Sequence, residues 1–206
     1  MSKIRKYSDK LFCLKQIAVG EADAVFIVFS EKEGKISVFA KGIRKIKSKK
    51  RGNIIPGFIS EVVLYKGQGM PVLLESSLKE GFEFLDETQN VSRILFFLKK
   101  VLPEAIPEPE IFGEIQDLVK KEKLDFYAVN KFRIRVLQML GFLQDLRVCS
   151  KCFDEKSQVL SLADFSTYCD SCYTSIKQNN VVRLDKISYR SPILTDALDN
   201  WIKTAL

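Results

Sequence analysis

The chain has 206 residues, 46% of them hydrophobic, and carries 33 Lys or Arg against 26 Asp or Glu, a net charge of +7 with no histidine. That length suits one large or two small domains with real cores. The lack of histidine excludes His-based general bases, Ser–His and Cys–His nucleophile pairs and every His-containing metal site, while the longest apolar runs, such as AVFIVF at Ala24–Phe29, are too short to cross a bilayer.

The charge is unevenly placed. Residues 1–80 hold 16 basic and 8 acidic side chains, and residues 81–206 hold 17 and 18, so the whole excess falls in the first part. A charge serving only solubility spreads over both parts; a local excess predicts a polyanion-binding surface. The basic start MSKIRKYSDK is followed by LFCLKQ, which breaks any signal-peptide core, so a soluble cytoplasmic protein is expected. Neither a GxxxxGKS nor a GxGxxG loop occurs, the KGQGM of Lys66–Met70 reads as a turn, and no pair of acids stands out, so the chain reads as a non-enzyme.

Five short strands are predicted in the first 80 residues: Lys10–Val19, Ala24–Ser30, Lys35–Ile43, Phe58–Tyr65 and Val72–Leu78, with the turn signals GEAD, EKEG and KGQGMP between them. Such a run, with one long interrupting loop, suits a small barrel. In Ala24–Phe29 both alternating faces are apolar, so one face fills the barrel and the other needs a cover, expected from the helices that follow.

Near residue 80 the apolar period turns helical. Val91, Ile94, Leu95, Leu98 and Leu102 mark one helix, stopped by Pro103, Pro107 and Pro109. Ile111, Ile115, Leu118 and Val119 mark a second, and Val129, Phe132, Arg133, Val136, Leu137 and Leu140 a third that ends at Gly141. This switch sets the expected boundary between a domain at 1–80 and another at 81–206.

Cys149 and Cys152, then Cys169 and Cys172 after sixteen intervening residues, form two CxxC pairs at the spacing of a four-cysteine zinc site within residues 147–173. Four thiolates leave no open position for water, so one structural zinc ion is expected; disulfides would need an oxidising compartment. Cys13, between Phe12 and Leu14, reads as a small buried residue.

GEADAVFIVFSEKEGKISVFAKGIRKIKSKKRGNIIPGF and LYKGQGMPVLLE resemble the N-terminal barrel of the RecO family of bacterial recombination mediators, and FRIRVLQMLGFLQDLRVCSKC with YCDSC resembles its helical, zinc-binding part. The resemblance implies an α+β protein: an OB-fold barrel, then a helical domain carrying the zinc finger. It further implies binding of single- and double-stranded DNA, annealing of complementary strands, and cooperation with RecR and single-strand-binding protein in loading RecA during repair. Two departures stand out: Pro56-Gly57 where the family often has Pro-Phe, which shifts the following strand, and a chain that stops at DNWIKTAL where relatives often continue.

The stretch KGIRKIKSKKRGN, Lys41–Asn53, holds seven basic residues inside an acid-free span from Gly34 to Ser60. An isolated run of this kind is usually a solvated loop. Here it lies between the third and fourth strands of an OB-like barrel, and Gly42, Ser48 and Gly52 promise a pliable chain. Arg44, Lys45, Lys47, Lys49, Lys50 and Arg51, with Lys35 and Lys41 beside them, are therefore the expected DNA-binding residues, reading phosphates rather than sequence. Lys131, Arg133 and Arg135 on the third helix are candidates for the acidic tail of single-strand-binding protein. An RNA-binding module in ribosome or transcription work is the alternative, since charge alone does not separate DNA from RNA.

Overall fold

The structure is a computed structural model in which residues 5–82, 88–176 and 180–205 are described. The chain divides into two compact units, residues 1–122 and 123–206.

The first unit opens with five strands: β1 (Arg5–Val19), β2 (Asp23–Ser30), β3 (Gly34–Ala40), β4 (Phe58–Lys66) and β5 (Val72–Gly81). They close in the order β1-β2-β3-β5-β4, with β4 returning to β1. β1 serves both neighbours: Arg5–Phe12 pair with β4 and Leu11–Val19 with β2, and a register shift between Cys13 and Lys15 bends it from one partner to the other. Every ladder is antiparallel except the short β3–β5 contact, Phe39 opposite Val72. This is the five-stranded Greek-key barrel of the OB-fold.

The β2 pattern sorts as its two apolar faces require. Phe26 and Val28 enter the barrel core beside Leu11, Cys13, Leu64 and Leu73. Phe29 is equally buried but meets Phe112 of α2 (Pro109–Val119), ring centroids 5.9 Å apart. α1 (Thr88–Val101) turns Ile94, Phe97, Leu98 and Val101 inward at helical spacing. Pro109 opens α2 rather than ending α1, since the first helical position has no N–H to lose.

Gly34, at φ +75, lies against the segment joining these helices. A Cβ there would fall 2.0 Å from the Ile106 carbonyl oxygen, while the Ala105 amide donates to the Lys35 carbonyl at 2.9 Å. The compact unit thus runs past the expected boundary at residue 80, because helices α1 and α2 cover the barrel's outer apolar face. Pro56-Gly57 resolves as a turn from Ile55 to Phe58: Gly57 takes φ +87 and the Phe58 amide donates to the Ile55 carbonyl at 3.0 Å, so β4 begins at Phe58.

The second unit holds α3 (Phe126–Met139), β6 (Val159–Ser161), β7 (Thr167–Tyr168), α4 (Asp170–Ile176), β8 (Val181–Arg183) and α5 (Pro192–Ala205). The Asp125 side chain caps α3 by accepting from the Ala128 amide at 2.9 Å. α5 buries Leu194, Leu198 and Ile202, one per turn, and Asn130 of α3 donates to the Thr195 hydroxyl at 2.8 Å. No helix among the described residues is long and apolar enough to cross a membrane.

Candidate nucleic-acid interface and metal centre

The basic stretch leaves β3 at Lys41 and folds as a chain of turns. The amides of Lys45, Ser48, Arg51 and Asn53 each donate three residues back, to Gly42, Lys45, Ser48 and Lys50. Ile43 and Ile54 tuck into the barrel core, 4% and 3% exposed. Each buried isoleucine contributes about 1.5–3 kcal/mol to holding its end of the stretch in place.

Polar ties add direction. The Gly42 amide donates to the Asp23 carboxylate at 2.6 Å, and the Arg44 amide to the Ala22 carbonyl at 2.8 Å. Asn53 donates to the Ser76 carbonyl of β5 at 2.8 Å. The pliable loop read from glycine and serine is instead an anchored one. Sequence reasoning missed Ile43, Ile54, Asp23 and Asn53 as its anchors; two isoleucines in an otherwise charged run were the available signal.

The eight predicted DNA contacts separate by environment. Lys41, Lys45, Lys47, Lys49 and Arg51 are exposed, with no acidic side chain paired to them among the described residues. Arg44 is also exposed and spends one guanidinium N–H on the Gly20 carbonyl at 2.9 Å. Lys50 is half-buried and donates to the Leu73 carbonyl at 3.1 Å. Lys35 does not join them: it is 7% exposed, donates to the Lys99 carbonyl at 2.9 Å and pairs with Glu104 at 3.2 Å. Strand position put Lys35 beside the stretch, but its side chain ties β3 to the last turn of α1 and to the segment after it.

In the second unit the two CxxC pairs converge. The sulfurs of Cys149, Cys152, Cys169 and Cys172 all lie within 4.8 Å of one another. Cys152 and Cys169 are 3.8 Å apart, far beyond the ~2.05 Å of a disulfide bond. The first pair lies in the loop after α3; Cys169 follows β7 and Cys172 sits in the first turn of α4. The two knuckles are laced together: the Ser150 amide donates to the Thr167 carbonyl at 2.7 Å, and the Thr167 amide returns to the Ser150 hydroxyl at 3.0 Å. Gln144 donates to the Val148 carbonyl at 2.9 Å, steadying the approach to Cys149. β8 pairs with β6, completing a three-stranded sheet.

Burial would raise the Cys149 thiol, but the amides of Cys152, Cys169 and Lys151 outweigh it and bring the thiol down to about 6. Cys172, hydrogen-bonded first of all to Cys169, is pushed up to about 12. Four sulfurs this close ionise together only around a cation, so the set is suited to hold a metal ion. Cys13, by contrast, is buried in the barrel, where desolvation pushes its thiol up to about 12.

The three helix cations also separate. Lys131 and Arg135 are exposed, and the Lys131 ammonium lies 5.6 Å from the centre of the Tyr127 ring. Arg133 points inward, 1% exposed, and its guanidinium donates to the Asp199 carboxylate at 2.7 Å. It braces α3 on α5 and is not available to a partner, a correction to the expectation that the three act together. One turn of helix separates Lys131 from Arg135, whereas Arg133 falls between them on the opposite face.

Comparison with known proteins gives these features a context. Residues 1–82 match the family model described as Recombination protein O N terminal. The chain is 28% identical over 178 residues to the DNA repair protein RecO of Thermodesulfovibrio yellowstonii, covering 82% of this chain and 71% of that protein. It is 25% identical over 203 residues to the DNA repair protein RecO of Alkaliphilus metalliredigens, covering 93% and 78%. Against the protein of the same name from Prosthecochloris aestuarii it is 30% identical over 146 residues, covering 66% and 55%.

Proposed function

We propose that the chain is a RecO-family DNA repair protein, as its match over residues 1–82 and its likeness to RecO proteins over most of its length support: a non-enzymatic recombination mediator that binds single- and double-stranded DNA and anneals complementary strands. One observation carries the reading: an anchored loop on an OB barrel presents Lys41, Lys45, Lys47, Lys49 and Arg51 to solvent with no acidic partner among the described residues. Two DNA strands repel through their phosphates. A rigid array of unpaired cations screens that repulsion and brings complementary strands together without nucleotide hydrolysis. Phosphate contacts carry little sequence information, so binding is broad.

The four cysteines hold one structural zinc ion in this reading. A tetrahedron with zinc–sulfur bonds of ~2.3 Å has edges of about 3.8 Å, which matches the 3.8 Å between Cys152 and Cys169. The zinc supplies cross-linking of the two knuckles and no chemistry. The partners are RecR and the acidic tail of single-strand-binding protein, with RecA loaded as the consequence, in the cytoplasm; Lys131 and Arg135 are the remaining helix candidates for that tail.

The test is annealing of complementary DNA strands by the purified chain without nucleotide, with and without single-strand-binding protein. Acceleration is expected in both conditions, and its absence from both would remove the mediator reading. Equal-length RNA strands run in parallel separate this reading from an RNA module, which would prefer RNA through 2′-hydroxyl contacts.

A further inference from the structure

Beside the basic loop the barrel surface opens into a cavity of about 450 Å³. Gln16 of β1 and Phe26 of β2 stand directly opposite in their ladder, so their side chains share one face. Phe26 belongs to the core and forms the floor, with Ile43 and Ile54, while Gln16 stays exposed on the wall. Arg44 and Arg51 border the cavity, and Ile55 lines it from the far end of the loop. The cavity thus joins an apolar floor to one amide and two cations.

We infer that this cavity receives a single unstacked nucleobase of a bound strand, with Arg44 and Arg51 on the phosphates to either side. This rests on the basic stretch being a nucleic-acid interface. The volume falls in the range of small-ligand sites and admits one base. The apolar floor at Phe26, Ile43 and Ile54 and the side chain of Ile55 would meet one face of a base. The Gln16 side chain offers both a carbonyl and an NH₂ group, so either orientation meets the edge of any base, in keeping with broad specificity. Arg44 spends one N–H on Gly20 and keeps the others for a phosphate. An inserted base removes its nucleotide from the stack, leaving the neighbouring bases splayed and open to pairing.

Binding is measured by fluorescence anisotropy for a short oligothymidine and for an abasic strand of equal length and charge, across a salt series. The oligothymidine is expected to bind roughly tenfold tighter, the loss per unstacked base being of that order. Gln16→Trp and Ile55→Trp each plug the cavity from a solvent-accessible position and should bring the two strands to equal affinity, with unchanged melting temperature as the check on folding. Equal affinities in the unaltered protein, with binding still steeply salt-dependent, would overturn the cavity assignment alone. A base preference that survives in both folded plug variants would overturn it as well. No salt-dependent binding of either strand would overturn it together with the interface on which it rests.

Discussion

Ile43 and Ile54 bracket the basic loop and enter the same barrel core, 4% and 3% exposed. The loop's charges therefore depend on the barrel's packing. Truncating either isoleucine to alanine should cost about 2–4 kcal/mol in urea unfolding of the first unit, as for other buried aliphatic truncations. DNA affinity measured well below the unfolding midpoint should also fall, because the cations lose their fixed spacing. An Ile46→Ala change is the contrast: that side chain is 88% exposed, and its loss should leave stability within about 0.5 kcal/mol.

The cysteine cluster predicts about one zinc per chain by elemental analysis of protein purified without added metal. Intact disulfides and no metal would defeat the assignment. Structural zinc contributes on the order of 10 kcal/mol in small modules, so Cys149→Ser should unfold the knuckles and their sheet. The barrel core uses none of those residues, so the first unit should keep its cooperative unfolding. Loss of all folded signal in that variant would count against the division into two units.

Arg133 and its helix neighbours should respond in opposite ways. Arg133→Met removes one side of a nearly buried ion pair and leaves Asp199 without that partner, at a cost of about 3 kcal/mol in unfolding of the second unit. Lys131→Ala and Arg135→Ala should cost under about 1 kcal/mol each. If an acidic peptide binds this helix, those two variants should weaken it without destabilising the protein.

Much of this was legible in the sequence. All five strands are where alternation and turn residues mark them, but β1 begins five residues before the expected Lys10, β3 stops three residues before Ile43 and β5 runs three past Leu78; the three helices follow from apolar spacing. The CxxC spacing located all four cluster cysteines. β6, β7 and β8 were missed: two or three residues give no period to detect, and each is held by the knuckles and its neighbours. α5 was missed although Leu194, Leu198 and Ile202 recur every four residues, since charged and polar residues separate them. Lys35 and Arg133 show the other limit. A lysine or arginine looks the same in sequence whether it faces water or a buried carbonyl or carboxylate, and only the fold supplies Lys99, Glu104 and Asp199.

Asp9 gives a pH dependence. It is buried in β1, and burial holds its carboxyl above the ordinary 3.8 although the Ser30 hydroxyl, the Lys10 amide and the Lys32 charge all oppose the shift. The folded state thus binds this proton more tightly than the unfolded state. The stabilisation is complete below the unfolded value and is lost as pH rises through the higher folded value. Relative to Asp9→Asn, the unaltered protein should become less stable as pH rises above 3.8, with the gap constant again once pH has passed the raised folded value. Urea midpoints of both proteins across that interval make the check, and a gap that widens on acidification would contradict the sign.

The salt dependence of DNA binding distinguishes phosphate contacts from a solvated loop. Lys41, Arg44, Lys45, Lys47, Lys49 and Arg51 are exposed, which corresponds to about four to six neutralised phosphates. For single strands each contributes about −0.7 to the slope of log affinity on log salt, giving roughly −3 to −4. Raising salt fourfold should then weaken binding about a hundredfold, near 2.5 kcal/mol. Changing Lys45, Lys47, Lys49 and Arg51 together to Gln should flatten the slope by about 2–3 and hardly move the melting temperature. Lys35→Gln should do the opposite, because that ammonium holds the Lys99 carbonyl and Glu104: the slope stays and stability falls. Lys50→Gln should resemble Lys35→Gln more than the loop variant, since its ammonium is spent on the Leu73 carbonyl. Parallel salt plots for the unaltered and loop-neutralised proteins would show that the exposed cations touch no phosphate. A flattened plot for Lys35→Gln would show that its inward placement does not hold in the bound state.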